Sequence, residues 1–162
     1  MFGTLVYTYG HRNPQGLAWD SLGNLWATEH GRSGVQSGLD EINLIEPGKN
    51  YGWPDIAGDQ NKPGMEKPVI HSGNNTWAPA GMAVMNNHIY FGGLRGEAVY
   101  TARIDGRQVV DLKELFKNQF GRVREVISAG ENEIYITTSN QDGRGKPQPK
   151  DDRIIKIVPP GN

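Results

Sequence analysis

The stretch Gly16-Leu-Ala-Trp-Asp-Ser-Leu-Gly-Asn-Leu-Trp-Ala-Thr28 decides how the rest of the chain is read. Two short apolar runs, Gly16–Asp20 and Asn24–Thr28, flank Ser21-Leu-Gly-Asn24, which has the residue types of a tight turn. The stretch therefore predicts a β-hairpin. Glu41-Ile-Asn-Leu-Ile45 alternates polar and apolar residues up to Pro47-Gly48, and predicts a third strand beside it.

The same grammar returns twice. Gly81–Met85, the turn Asn86-Asn87, His88–Phe91 and then Ala98–Ile104, stopped by Asp105-Gly106, form a second unit. Val123–Ile127, a turn near Gly130–Asn132, Glu133–Thr137 and Arg153–Ile157 form a third. A recurrence of roughly 40–50 residues built from short strands is the signature of propeller blades. The expected fold class is all-β: about three four-stranded blades of a β-propeller. A ring needs at least about four blades, so three leave two blade faces uncovered. Either further blades complete the ring or two copies assemble as a homodimer.

Two segments depart from this pattern. Leu112–Asn118 places Leu112, Leu115 and Phe116 on one face at helical spacing, which predicts a helix of about two turns. Asn50–Ser72 has no clear period and is rich in Pro, Gly and Asp; a loop of this length is functional or is held by something such as an ion.

Composition agrees with a turn-rich globular chain. Gly accounts for 22 of 162 residues, while aromatic and branched residues are spread throughout. The formal net charge of −1 removes the electrostatic case for nucleic acid. No apolar run is long enough for a membrane span, and Met1–Gly10 has neither the basic nor the apolar region of a signal peptide. With no cysteine, disulfides and thiolate metal sites are excluded.

Several short motifs follow one another in a telling order: His11-Arg-Asn-Pro-Gln-Gly16, Thr28-Glu-His-Gly31, Asp40-Glu-Ile-Asn43, Asn50-Tyr-Gly-Trp-Pro54, Ala78-Pro-Ala-Gly81, Gly93-Leu-Arg95, Arg122-Val-Arg124, Ser139–Gly145 and Asp151-Asp-Arg-Ile154. The ordered set resembles the glucose/sorbosone dehydrogenase family, quinoproteins that use pyrroloquinoline quinone (PQQ) and calcium on a six-bladed propeller. The resemblance covers nearly all of residues 1–162 as one C-terminal portion of such a propeller. It implies oxidation of aldose sugars at C1 to lactones, with electrons passed to an external acceptor. It also implies a periplasmic or extracellular location. The family's catalytic histidine lies in the N-terminal half, and none of His11, His30, His71 or His88 sits in its motif. The resemblance thus identifies no catalytic residue here, and the isolated chain is expected to be impaired. The alternative reading is a non-catalytic binding or scaffold module.

Carried over position by position, the resemblance makes Arg12, Asn13, Arg95, Arg122 and Arg124 cofactor contacts. Cations suit the three carboxylates of PQQ, and arginine pairs with carboxylates bidentately. Arg122 and Arg124 would share one strand face, so something anionic is expected between or above them. Their plainer reading is a basic strand face paired with acids such as Glu125. Arg12-Asn13-Pro14 can equally be a polar turn, and Arg95 a surface-turn arginine. For calcium, the resemblance implies main-chain carbonyls of Gly31 and Arg32 at the active-site ion. A second ion is implied around Asp40, Glu41, Tyr51, Ala57 and Asp59, which would account for the aperiodic loop. Against this, Gly31 can be an ordinary turn, Asp40 a turn cap and Glu41 solvent-facing. Ser139–Gly145 has the composition of a rim loop or an anion nest but lacks the Lys-Ser/Thr of a P-loop. Trp19, Trp26 and Trp53 are expected in the core or between blades, and Trp77 facing a ligand.

Overall fold

The computed structural model describes residues 5–158. Eleven strands form three antiparallel sheets. The first contains β1 (Pro14–Trp19), β2 (Leu25–Glu29), β3 (Glu41–Ile45) and β4 (Ile70–His71). The second contains β5 (Pro79–Met85), β6 (His88–Gly93), β7 (Ala98–Asp105) and β8 (Gln108–Leu115), and the third β9 (Val123–Ala129), β10 (Glu133–Thr138) and β11 (Ile154–Ile157). Each sheet is a meander in which sequence neighbours pair, as in a propeller blade.

The middle blade explains why the three stay together. Along its strands, successive side chains point to opposite faces. Met82, Ile89, Phe91, Tyr100 and Ile104 enter one core with Trp26 and Ile42 of the first blade. Ala83, Met85, Tyr90 and Val99 enter another with Val123, Val126, Ile134, Ile136 and Ile157 of the third. Strand β1 lies close against β5. A Cβ on Gly16 would fall 2.7 Å from the Met82 nitrogen, so only glycine allows this approach. Thr28 fastens the contact: its hydroxyl donates to the Ala80 carbonyl at 2.8 Å and accepts the Gly16 N–H at 3.0 Å.

The opening hairpin forms as expected, and Asp20 closes its turn. Its carboxylate accepts the N–H groups of Leu22 and Asn24, the Asn24 amide and the Trp26 indole. Burial pushes the Asp20 carboxyl up, but these donors outweigh it and hold the group below the usual range. The indole bond also lets Trp26 be fully buried without an orphaned donor.

Four sequence expectations are corrected. Leu112–Leu115 is the end of strand β8, in which Leu115, Glu114 and Lys113 pair with Val99, Tyr100 and Thr101. Phe116 and Asn118 then take φ of 55° and 60°, which ends regular structure. Pairing with β7 overrides a helical spacing that was coincidental over so short a run. Trp77 is buried, packed 5.6 Å from Phe91 and 5.7 Å from Tyr100, and does not face a ligand. Trp26 is in the core and Trp53 is 40% exposed beneath the Arg12 guanidinium, while Trp19 is 64% exposed on β1 of an outer blade. The third sheet shows three strands among the described residues, against the four expected of each blade.

The long aperiodic segment is tied to the chain at Tyr7–Gly10. Tyr51 and Trp53 donate N–H bonds of 2.8 Å to the carbonyls of Tyr9 and Gly10, and Gly48 donates to Tyr7. Its end, Ile70–His71, pairs with β3.

Candidate functional site

A cleft of about 400 Å³ opens where the loops of the three blades meet. Its walls carry Arg32, Arg95, Arg122 and Arg144, with His30, Ser37 and Asp40 between them.

The first-blade wall is fixed by two buried carboxylates. Glu29, at the end of β2, accepts the backbone N–H groups of Arg12 and Asn13, the latter at 2.9 Å, and the His11 Nδ1–H at 2.9 Å. His11 in turn stacks on Tyr51 at 4.6 Å. This fixes the backbone from which the Arg12 side chain reaches out to donate to the His30 carbonyl at 3.3 Å and to Ser33 Oγ at 2.6 Å. The Arg12 guanidinium lies 5.4 Å over the exposed Trp53 ring. Asn13 is exposed and accepts from the Gln15 amide.

Asp40 is the second pin. It accepts the Gly31 N–H on one oxygen at 2.8 Å, and those of Trp77 and Ala78 on the other at 2.7 and 2.8 Å. It therefore ties the Gly31 loop to the entry of the second blade, and is neither a turn cap nor a free carboxylate. Gly31 is required there, since a Cβ would lie 2.1 Å from the Leu39 carbonyl oxygen. Arg32 lines the cleft, and its Nε is buried without a partner.

The third-blade wall is built from ion pairs. Arg122 precedes β9 and is buried; its N–H donates to Asn140 Oδ1 at 2.8 Å, and its guanidinium donates to the carbonyls of Ser139 and Leu94. Asp142 sits where an anion between Arg122 and Arg124 was expected, with Oδ2 3.0 Å from Arg122 and 3.3 Å from Arg124. The Arg144 N–H, together with the Arg122 guanidinium, holds the Asp142 carboxyl below the usual range. Glu125 turns instead to the Val126 N–H. Arg95 is exposed and donates to Ser37 Oγ at 3.2 Å, bridging the second blade to the first.

Beside this cleft lies a smaller cavity of about 10 Å³, the size of a single water or ion. Glu29, Glu41, Tyr51, Ala57, Gly31 and Arg32 are among its walls. Glu41 is directly opposite Glu29 across β2 and β3. Burial, with Glu29 repulsion added and Asn43 opposing, pushes the Glu41 carboxyl up to about 7. Asp59 stands apart: its side chain is exposed and pairs with His71 at 3.2 Å. Among the described residues no group of three or more His, Asp or Glu side chains converges as a metal site.

The structure thus brings Arg95 and Arg122 onto one cleft, with Arg124 joined to Arg122 through Asp142, while Arg12 reaches its rim. It groups Glu41, Tyr51 and Ala57 around the small cavity and leaves Asp40 and Asp59 outside its walls. Sequence reading missed Arg144, although it sits in the Asp-Gly-Arg-Gly loop already singled out by composition. It also missed Glu29, whose only signal was its place in Thr28-Glu-His-Gly31.

A propeller segment whose blade loops surround an arginine-lined cleft is the class defined by fold and site. Residues 3–154 match the Glucose / Sorbosone dehydrogenase family, and the chain belongs to that family. The PQQ-bound aldose sugar dehydrogenase of Streptomyces coelicolor superposes with a TM-score of 0.87 at 39% identity, covering 94% of this chain and 45% of that one. A candidate glucose dehydrogenase from Thermus thermophilus gives 0.87 at 42%, covering 94% and 47%. The aldose sugar dehydrogenase YliI of Escherichia coli is 29% identical over 160 residues, 85% of this chain and 42% of its own length. The chain thus spans less than half the length of these relatives. Among the described residues, no helix is long and apolar enough to cross a membrane.

Proposed function

We propose that this chain is the C-terminal portion of a PQQ- and calcium-dependent dehydrogenase that oxidises aldoses at C1 to lactones, and that it supplies the cofactor cradle. The observation that carries the reading is the cleft itself: Arg95 and Arg122 stand on its walls with Arg124 beside them, and Arg95 has no carboxylate partner among the described residues. A flat tricarboxylate fits that donor set.

In this reading Arg122 and Arg124 are held side by side by Asp142, ready for bidentate pairing with a cofactor carboxylate. Arg95 faces them from the second blade. Arg12 and Asn13 approach from the first, on a backbone fixed by Glu29. The carbonyls of Gly31 and Arg32 would hold the active-site calcium, and the small cavity at Glu41, with the carbonyls of Tyr51 and Ala57, would hold a second. When bound, PQQ supplies the quinone that accepts hydride from C1, with calcium as its Lewis acid. The positive charge of Arg95 would stabilise negative charge developing nearby during that transfer. The base that takes the hydroxyl proton belongs, by the family resemblance, to the N-terminal half. A periplasmic or extracellular location and an external electron acceptor follow from the same resemblance.

A second reading is a ring closed by two copies of the chain. Leu17 and Trp19 on β1, and Ile127 and Ile154 at the other end, are exposed large apolar side chains on the two outer blades. Light scattering decides this directly, since a strict monomer removes it.

The test of the main reading is a titration of the purified chain with PQQ, with and without calcium, followed by cofactor absorbance. Saturable, calcium-dependent binding that weakens in Arg122→Ala and Arg124→Ala is the expected result. No binding to a folded chain would leave the scaffold reading in its place.

A further inference from the structure

The arginines around the cleft differ in what holds them. Arg12 donates to the His30 carbonyl and Ser33, Arg95 to Ser37, Arg122 to two carbonyls and Asp142, and Arg124 to Ser139 and Asp142. Arg32 and Arg144 both line the cleft, yet their guanidiniums donate to nothing among the described residues. Arg144 is exposed, and it is its backbone N–H that binds Asp142. Arg32 is the more telling of the two, because its Nε is buried with no acceptor. A buried donor left unmade is costly, so such a group is usually completed by something the fold does not itself provide. The acid on the wall of the cleft does not serve: both oxygens of Asp40 are turned to backbone N–H groups.

We propose that Arg32 and Arg144 form an oxyanion subsite next to the cofactor cradle, and that the aldose taken by this cleft carries an acidic group, a carboxylate or a phosphate. This rests on the cofactor reading above, which already employs Arg12, Arg95, Arg122 and Arg124 and leaves these two cations free. The two come from different blades, Arg32 from the first-blade loop and Arg144 from the third-blade loop. An acidic substituent between them is gripped from both sides while the rest of the sugar faces the cofactor. Two charge-assisted hydrogen bonds in a partly enclosed cleft are sufficient for a preference of about tenfold or more over a neutral sugar.

The experiment is a set of calorimetric titrations of the 162-residue chain, loaded with PQQ and calcium, using glucuronate, glucose 6-phosphate and glucose as probes. An acidic sugar should bind at least about tenfold tighter than glucose, with the gap narrowing as salt is raised. Whichever acid binds tighter identifies the group recognised. Arg144→Gln, at an exposed position, should abolish the preference while leaving PQQ affinity within about twofold, and Arg32→Gln should abolish the preference as well. Equal affinity for glucose and both acids overturns the proposal. So does an Arg144→Gln chain that loses PQQ affinity as strongly as acid affinity, since Arg144 would then belong to the cradle. If the chain takes up no PQQ, the cofactor reading fails separately. The subsite is then judged by the same titrations on the chain alone: saturable acid binding lost in Arg144→Gln upholds it, and no binding overturns it.

Discussion

The two walls of the cleft use carboxylates in opposite ways. On the first-blade wall, Glu29 and Asp40 are buried and spend their oxygens mostly on backbone N–H groups. On the third-blade wall, Asp142 is partly exposed and binds guanidiniums. A buried carboxylate that gathers amide donors fixes the course of the chain. A carboxylate between two arginines, whose one backbone bond is to the Arg144 N–H of its own loop, fixes mainly side chains, in a form that an incoming anion can join or replace. One wall is therefore frame, and the other is, in the proposed reading, receptor.

The largest effect that distinguishes them should come from Asp40→Ala. It leaves three N–H groups without their acceptor and should cost at least about 3 kcal/mol in urea denaturation. A loss below about 1 kcal/mol would erase the distinction, because that is the range of an exposed ion pair. Next is Arg122→Ala, which removes the one buried guanidinium of the receptor wall. PQQ affinity should fall by about 10- to 100-fold, the equivalent of one charge-assisted contact.

A smaller effect concerns Glu41, on the frame side. Its carboxyl is raised from 4.5 to about 7 in the folded chain, so between those values the folded state holds the proton more tightly than the unfolded state. Stability should therefore fall as pH rises through this window, and level off above it. Melting temperatures recorded from pH 5 to 8 without calcium should decline by a few degrees, and Glu41→Gln should flatten the decline. If calcium occupies the cavity, adding it should restore stability at the high-pH end. The smallest effect is Asp142→Asn. It should change stability by less than about 1 kcal/mol, yet alter how steeply PQQ binding depends on salt, since one negative charge has left the receptor wall.

What the sequence made legible follows from the range of the interactions involved. The hairpin at Gly16–Thr28 could be read because its turn chemistry and alternation are local, and strand Glu41–Ile45 could be read to the residue. Leu112–Leu115 could not. Its partner strand β7 decides its conformation, and four residues carry too little period to separate helix from strand. The tryptophans failed for the same reason. Trp77 and Trp53 differ in which side of a loop faces a neighbouring blade, and nothing in their flanking residues records that. Motif order placed Arg122 and Arg124 together, and the repulsion argument called for an anion at the site that Asp142 fills. The partner itself comes from a loop 18 residues downstream of Arg124 and could not be named in advance. Arg144 lay inside a segment recognised by composition, but composition does not say which side chain turns into a cleft.

The central claim is that this cleft is a cofactor cradle, and diffraction from crystals grown with PQQ and calcium tests it most directly. The account predicts PQQ density in the cleft, with a carboxylate on Arg122 and Arg124 and the first-blade wall unmoved around Asp40. PQQ bound elsewhere on the blades, or a cleft still bridged only by Asp142 at saturating cofactor, would contradict it.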